Sequence, residues 1–159
     1  MKKILKFVAA ILALVGVVMM FFTQVTVKWL GSGVKENIGI QAIAGNGTYP
    51  IAGTGFESVP TALAGYIMLG VGAIIILVVA LVPVFRNHGI LAAVVTGFAV
   101  VILIIATFFM FFLRKNFMNT NGLQSEQVIV GWGAIAAGSL GSLAAATGTL
   151  SLILDIAED

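Results

Sequence analysis

The sequence predicts an all-α membrane protein, an antiparallel bundle of four transmembrane helices with a small antiparallel β-sheet in the first extracellular loop. Three observations lead to this fold class. Of the 159 residues, 60% are hydrophobic and 9% are charged, whereas soluble domains carry about 25% charged residues. Four apolar stretches are long enough to cross a bilayer, which takes about 20 residues. The segment after the first stretch alternates β-branched with polar residues, as strands do.

The four predicted helices make up one transmembrane domain that extends over the whole chain, residues 1–159. They cover about 7–27, 63–85, 90–113 and 128–153, and charged or turn-forming residues bound each of them. The first follows a lysine-rich start, as in a secretory signal, but it offers no small-residue cleavage site at its end. We therefore expect a retained helix, with a cleaved signal peptide as the alternative.

The loops that connect the predicted helices differ in length. Two outer loops span about 28–62 and 114–127, whereas the second and third helices are joined by the short turn 86–89. Lysines before the first helix favour a cytoplasmic N-terminus, because Lys and Arg flanking a span stay inside. Four spans then place both termini in the cytoplasm; the total count of Lys and Arg does not distinguish the two sides. The absence of cysteine from an outward-facing loop favours the plasma membrane of a bacterium.

The first outer loop is expected to fold into the β-sheet. Residues 25–29 and 38–44 are predicted strands, and Asn46-Gly47 is a favoured two-residue turn because both positions tolerate positive φ. Residues 48–51 would return as an edge strand. Trp29 lies where the first helix should leave the bilayer, either as an interfacial anchor or as a contact between sheet and bundle. The predicted structural or interface residues of this loop are Trp29, Asn46, Gly47 and Tyr49.

The fourth helix carries a regular stripe of small residues, which we call the seam. Its members follow alternating steps of three and four, the spacing of the a and d positions of a heptad. Small side chains let helix backbones approach closely, which favours helix association in lipid. Three uses are open: packing inside the bundle, an interface with a second copy or another membrane protein, or the lining of a permeation path. The seam consists of Gly131, Ala134, Gly138, Gly141, Ala145 and Gly148.

The few charged residues lie close to the predicted membrane boundaries. Arg86 ends the second helix on the same side as Asp155, near the end of the fourth, so we expect a boundary ion pair between them. A solvated pair of this kind contributes only about 0–1 kcal/mol. No charged residue lies inside a predicted span, whereas proton relays and pumps place one there. The sequence therefore argues against proton-coupled transport.

The sequence offers no catalytic constellation. His88 is the one histidine, the chain has no cysteine, and no metal ligands surround the short turn that holds His88. No serine has a histidine at a matching depth, as a hydrolytic triad requires. We therefore expect no enzyme activity, no cofactor and no metal. The net charge of +2 gives no sign of nucleic-acid binding.

The loop arrangement, with Trp29-Leu30-Gly31 shortly after the first helix, resembles the claudin and peripheral-myelin-protein group of tetraspan proteins. That group has cytoplasmic termini, a first outer loop folded as a β-sheet, a short inner turn and a smaller second outer loop. The resemblance covers the whole chain in topology and Trp29-Leu30 in residues. The sequence departs from the group in lacking its Gly-Leu-Trp motif and its paired loop cysteines. The resemblance therefore implies the architecture, and neither junction formation nor cation selectivity is carried over.

Together these observations predict a non-catalytic integral membrane protein that acts as a scaffold, accessory or interaction subunit. Its contact surfaces would be the outer sheet and the seam. Its partners would be the lipid bilayer and either another membrane protein or a second copy in a homo-oligomer. The alternative is a small oligomeric channel or carrier for an ion or small solute, based on the Gly, Ser and Thr residues of the fourth helix. A membrane-embedded enzyme acting on lipid is the weakest hypothesis, because no acid and base pair is present.

Overall fold

The computed structural model describes residues 2–29, 33–45 and 56–157, and within these it leaves out the side chains of Arg86 and Asn87. The protein is mostly helical, at 76%, with a small three-stranded antiparallel sheet. The elements are, in chain order, α1 (Lys2–Val18), a 3-10 turn (Met19–Phe21), β1 (Val25–Lys28), β2 (Lys35–Ile38), α2 (Gln41–Ala44), α3 (Pro60–Leu81), α4 (Pro83–Asn87), α5 (Gly89–Phe111), α6 (Leu113–Asn121), β3 (Val128–Val130) and α7 (Trp132–Ala157).

In the described part of the chain, four helices are long and apolar enough to cross a membrane. They are α1 with its 3-10 turn, α3, α5 and α7, so the predicted number is confirmed and the composition indicates a membrane protein. The bounds differ from the prediction. The first ends at Phe21 instead of 27 and α7 begins at Trp132 instead of 128, because β1 and β3 take the residues beyond. Helix α3 ends at Leu81 because the following Pro83 favours an extended backbone at Val82.

The four long helices pack around one another, with α1 and α5 each lying against both α3 and α7. We call the end that carries the sheet the sheet end, and the end with the α3–α5 connection the turn end. Glycine allows α3 to approach α5 closely: a Cβ atom at Gly72 would lie 2.7 Å from Leu103 Cδ2. The buried face of α1 also carries small side chains, among them Ala9, Ala13 and Gly16. Small residues therefore set the spacing of the long helices.

The sheet has the strand order β2-β1-β3, and both pairs are antiparallel. Its third strand comes from the connection between α5 and α7, so the prediction that the sheet lies in the first outer loop alone is too narrow. The predicted strand 38–44 is wrong, because Ile38 ends β2 and Gln41–Ala44 forms the helical turn α2. Asn46, Gly47 and Tyr49, with the predicted turn and return strand, lie outside the described residues.

One hydrophobic cluster joins the sheet to the helices. Val25 and Val27 alternate with exposed or half-buried neighbours and turn one face of β1 into this cluster. Large apolar side chains cover the outer surfaces of the long helices instead, for example Phe98 and Ile153, which are both more than half exposed. An apolar surface of this extent is typical of helices that face hydrocarbon.

Candidate functional site

The seam of α7 faces the interior of the protein. All six of its residues are buried. A Cβ atom at Gly141 would lie 2.7 Å from Thr107 Oγ1, and one at Gly148 would lie 2.9 Å from Val100 Cγ2. Both neighbours belong to α5 of the same chain, and Gly138 likewise faces Phe111. The structure therefore places Gly138, Gly141 and Gly148 of the seam against α5 of the same chain.

Gly131, the first seam residue, serves a contact with the segment between α1 and β1. Its N–H donates to the Gln24 carbonyl at 2.7 Å, and the N–H of Gly133 donates to the Thr23 carbonyl at 2.9 Å. A Cβ atom at Gly131 would overlap the carbonyl oxygen of Thr23. The two chain segments can cross at this short distance only because Gly131 and Gly133 both lack a side chain. The sequence analysis missed Gly133, which lies outside the heptad spacing.

A buried polar junction lies beside this crossing. The Tyr66 hydroxyl of α3 donates to Gln24 Oε1 at 2.6 Å, and Gln24 Nε2 donates to the carbonyls of Met19 at 2.7 Å and Phe22 at 3.1 Å. Tyr66 is 2% exposed and Gln24 is fully buried. The junction therefore fixes the start of β1 to the end of α1 and to α3. Sequence reasoning missed both residues, although Gln24 stands out as an amide at the end of an apolar run.

The sheet turns its other face away from the cluster. Thr26, Lys28, Lys35, Asn37 and Ile129 lie on this exposed face by alternation along their strands. Thr26 Oγ1 donates to Asn37 Oδ1 at 2.7 Å, and Lys28 lies directly opposite Lys35 in the β1–β2 register. We call these five residues the sheet platform. Apart from Ile129 it consists of polar and cationic side chains.

Side chains of α6 attach the connection between α5 and α7 to the sheet and to α3. The Arg114 guanidinium donates through Nε to the Val128 carbonyl at 2.9 Å and through Nη2 to the Ser125 carbonyl at 2.6 Å. Asn116 Nδ2 donates to Thr61 Oγ1 at 2.8 Å, and the Glu57 N–H donates to Asn121 Oδ1 at 2.8 Å. Arg114 therefore acts as an internal support of β3, although the sequence showed it only as a boundary charge.

Trp29 lies at the end of β1, half-buried against the hydrophobic cluster. Its N–H donates to the Val34 carbonyl at 3.1 Å, which closes the β1–β2 connection. At the start of α7, Trp132 is exposed and contacts Phe22, with ring centroids 4.6 Å apart. The three aromatic side chains thus lie where the long helices meet the sheet.

The turn end contains a buried ion pair. Lys6 Nζ of α1 donates to Asp155 Oδ2 of α7 at 2.6 Å, and Lys2 Nζ lies 3.9 Å from Asp155 Oδ1. Lys6 is 5% and Asp155 is 2% exposed. The predicted partner of Asp155 was Arg86, whose side chain lies outside the described part of the structure. The expectation that Asp155 is solvated is wrong, since α1 covers it.

Two apolar grooves run between α5 and α7. The groove toward the turn end has a volume of about 390 Å³ and is lined by Ile90, Ala93, Val94, Gly97, Leu152 and Ile156. The groove toward the sheet end has a volume of about 330 Å³ and is lined by Ile104, Thr107, Phe108, Phe111, Ser142 and Ala145. The hydroxyls of Thr107 and Ser142 both donate to carbonyls of their own helices. Both grooves therefore present an apolar surface.

Across residues 2–29, 33–45 and 56–157, no three His, Asp or Glu side chains lie close enough together to hold a metal ion. Comparison of the chain with protein-family models, with curated proteins and with solved structures found no match. The resemblance to the claudin group therefore stays a prediction. The candidate functional features of the described residues are the sheet platform, the seam, the Tyr66–Gln24 junction and the Lys6–Asp155 ion pair.

Proposed function

We propose that the chain is a non-catalytic integral membrane protein that acts as a scaffold, accessory or interaction subunit and contacts its partner through the sheet platform. The observation that carries the proposal is the construction of the sheet end. Three strands from two separate connections form one platform, and Tyr66, Gln24 and Arg114 hold it to the helices. A platform with so many fixed points loses little conformational entropy on binding, which favours affinity.

The proposed setting is the plasma membrane of a bacterium, with α1, α3, α5 and α7 spanning as an antiparallel bundle. Both termini lie in the cytoplasm and the sheet end lies outside. The exposed apolar surface of the long helices supports insertion. The lysines at the start of α1 support a cytoplasmic turn end, because flanking positive charge stays inside. The platform then faces the outer solution or a neighbouring membrane protein.

The packing of the seam favours this contact role over the channel or carrier alternative. A permeation path along α7 would need small or hydroxyl side chains that face an open lumen. The seam residues instead contact α5 and α3, and the hydroxyls of Thr149 and Ser151 donate to carbonyls of α7 itself. The sheet platform is therefore the surface that we assign to partner binding.

Site-specific photocross-linking in native membranes tests the proposal. A photoreactive benzoylphenylalanine replaces Asn37, which is exposed on the platform, or His88, which is exposed at the turn end as the matched control. We expect irradiation to give a discrete adduct from position 37 and none from position 88. The mass of the adduct distinguishes a second copy of the chain from another membrane protein.

An absence of any adduct at position 37 would contradict the proposal, whether or not position 88 gives one. The same holds if position 37 gives only a smear of random products at every expression level. A discrete adduct whose yield falls when untagged chain is co-expressed supports a saturable contact. That competition control separates a specific partner from crowding in the membrane.

A further inference from the structure

The sheet platform carries an unusual pair of charges. Lys28 of β1 and Lys35 of β2 are direct partners in the antiparallel register. Directly opposed residues have Cβ atoms about 4.5–5.5 Å apart, and like charges at that separation destabilise the sheet. Lys35 is exposed and Lys28 is half-buried, and their register places both side chains at the same edge of the platform.

No acidic side chain in the described ranges forms an ion pair with either lysine. Glu36 is the acidic residue of β2, but it pairs with Val27 and therefore lies on the opposite face of the sheet. The neighbouring row holds Thr26 and Asn37, which are hydrogen-bonded to each other. The lysine pair thus has a charge repulsion that the described residues leave uncompensated.

An apolar side chain lies on the same face. Ile129 of β3 is 43% exposed and is the direct partner of Thr26, so it stands one row from the lysines. A cationic pair beside one exposed aliphatic residue is complementary to an acidic segment that carries an apolar side chain. Charge complementarity of this kind raises association rates and selects among partners.

We propose that the sheet platform binds an acidic segment of the partner protein, whose carboxylates lie against Lys28 and Lys35. This inference rests on the proposed function and names the chemistry of the partner. A protein is favoured over lipid phosphate because the two lysines share one strand face with exposed Ile129, and an extended polypeptide offers several carboxylates and an apolar side chain at strand spacing, whereas a lipid headgroup offers one phosphate. Bound carboxylates would remove the repulsion between the two ammonium groups, so the platform gains stability when the segment binds.

The test uses the full-length chain in nanodiscs of zwitterionic lipid and a fluorescent oligoglutamate peptide as the probe. We expect saturable binding at low salt that weakens as NaCl is added, because added ions screen exposed charges. The variant Lys28→Gln/Lys35→Gln should lose about tenfold or more in affinity. Lys115→Gln is the matched control, since it removes one exposed lysine of the sheet end from α6, and its affinity should change by less than about twofold.

The variant Lys35→Glu provides a second measurement that does not depend on the probe. It turns the repulsive pair into an attractive one, so its midpoint of thermal unfolding should rise while oligoglutamate binding is lost. A midpoint that falls, or an equal loss of binding in Lys115→Gln, would overturn the inference. So would an absence of saturable oligoglutamate binding combined with lysine-dependent retention on phosphatidylglycerol vesicles, which would assign the pair to lipid phosphate.

The outcomes for this inference and for the proposed function are separate. If the adduct at position 37 persists in native membranes when Lys28 and Lys35 are both glutamine, the partner contact stands and the acidic partner is excluded. If the chain with benzoylphenylalanine at position 37 and both lysines intact gives no adduct, the proposed function itself fails. A parallel loss of the adduct and of oligoglutamate affinity in the double variant supports both.

Discussion

Tyr66 and Gln24 form the contact on which the position of the sheet depends. Gln24 uses both functions of its amide: the oxygen accepts from Tyr66, and the nitrogen donates to the carbonyls of Met19 and Phe22 in and just after the 3-10 turn. A buried amide group that lacks a hydrogen-bond partner has lost its hydration without a compensating hydrogen bond, which lowers the stability of the folded state. The junction therefore couples the position of β1 to the packing of α3.

Tyr66→Phe removes the hydroxyl and leaves Gln24 Oε1 buried without a donor. We expect a loss of about 1–3 kcal/mol in the free energy of unfolding in detergent, the cost of one unsatisfied buried acceptor. Hydrogen exchange at the β1 amides should also become faster, because the sheet loses one fixed point. Thr147→Ala is the control: it also removes one hydroxyl, from the outer surface of α7, and should change stability by less than about 0.5 kcal/mol. Equal stability of both variants would refute the coupling.

Lys6 and Asp155 join the first and last helices at the turn end, 149 residues apart in the chain. Burial removes water from both charged groups, so each depends on the other for its solvation. Their contact aligns the start of α1 with the end of α7. Loss of one partner is therefore more harmful than loss of both.

Asp155→Asn should lower the free energy of unfolding by about 3–5 kcal/mol, because the Lys6 ammonium stays buried without its counter-charge. The double variant Lys6→Met/Asp155→Leu should recover most of that loss, since two apolar side chains of similar size replace the pair. Lys2→Gln should cost less than about 1 kcal/mol, because Lys2 is more exposed and lies farther from the carboxylate. Unfolding titrations of the three variants measure these differences. A double variant as unstable as Asp155→Asn would show that the pair is not the cause.

The seam determines how closely α7 approaches α5. Gly141 and Gly97 offer a matched comparison on these two helices, because a Cβ atom would lie 2.7 Å from Thr107 Oγ1 at the first position and 3.6 Å from Leu152 Cδ2 at the second. The first distance is a clash with a β-branched side chain, and the second is an ordinary van der Waals contact. Substitution by alanine should therefore be more destabilising at Gly141 than at Gly97.

Gly141→Ala should destabilise the protein by about 1–3 kcal/mol, as overpacking of a close helix contact does. Gly97→Ala should be neutral or stabilising by up to about 1 kcal/mol, because alanine loses less backbone entropy in a helix than glycine. Thermal unfolding of the two variants, followed by circular dichroism, tests this order. If Gly141→Ala proves as stable as Gly97→Ala, the seam does not set the spacing of the helices.

The elements differ in how far the sequence predicted them. The number of long helices follows from the hydropathy of each stretch, and the seam follows from the spacing of small residues within one stretch. Both are local properties of the sequence. Strand β3 was assigned to the fourth helix, because its three apolar residues become a strand only by pairing with β1, far away in the chain. The buried pair of Lys6 and Asp155 was missed for the same reason. Residues that act through distant partners leave no local pattern in the sequence.

On the scale of the whole molecule, the two ends differ in charge and structure. The turn end holds a short connection and an internal ion pair, and the sheet end holds three strands with an exposed cationic face. The apolar surfaces of the four long helices lie between them. We propose that the helices cross the bilayer and hold the sheet platform outside it, where a partner can contact it.

Labelling of single cysteines in intact cells tests this claim most directly, because the chain has no cysteine of its own. Asn37→Cys and His88→Cys are treated with a membrane-impermeant maleimide before and after permeabilisation. We expect position 37 to react in intact cells and position 88 to react only after permeabilisation. Labelling of position 88 from outside, with position 37 protected until the cells are opened, would contradict it.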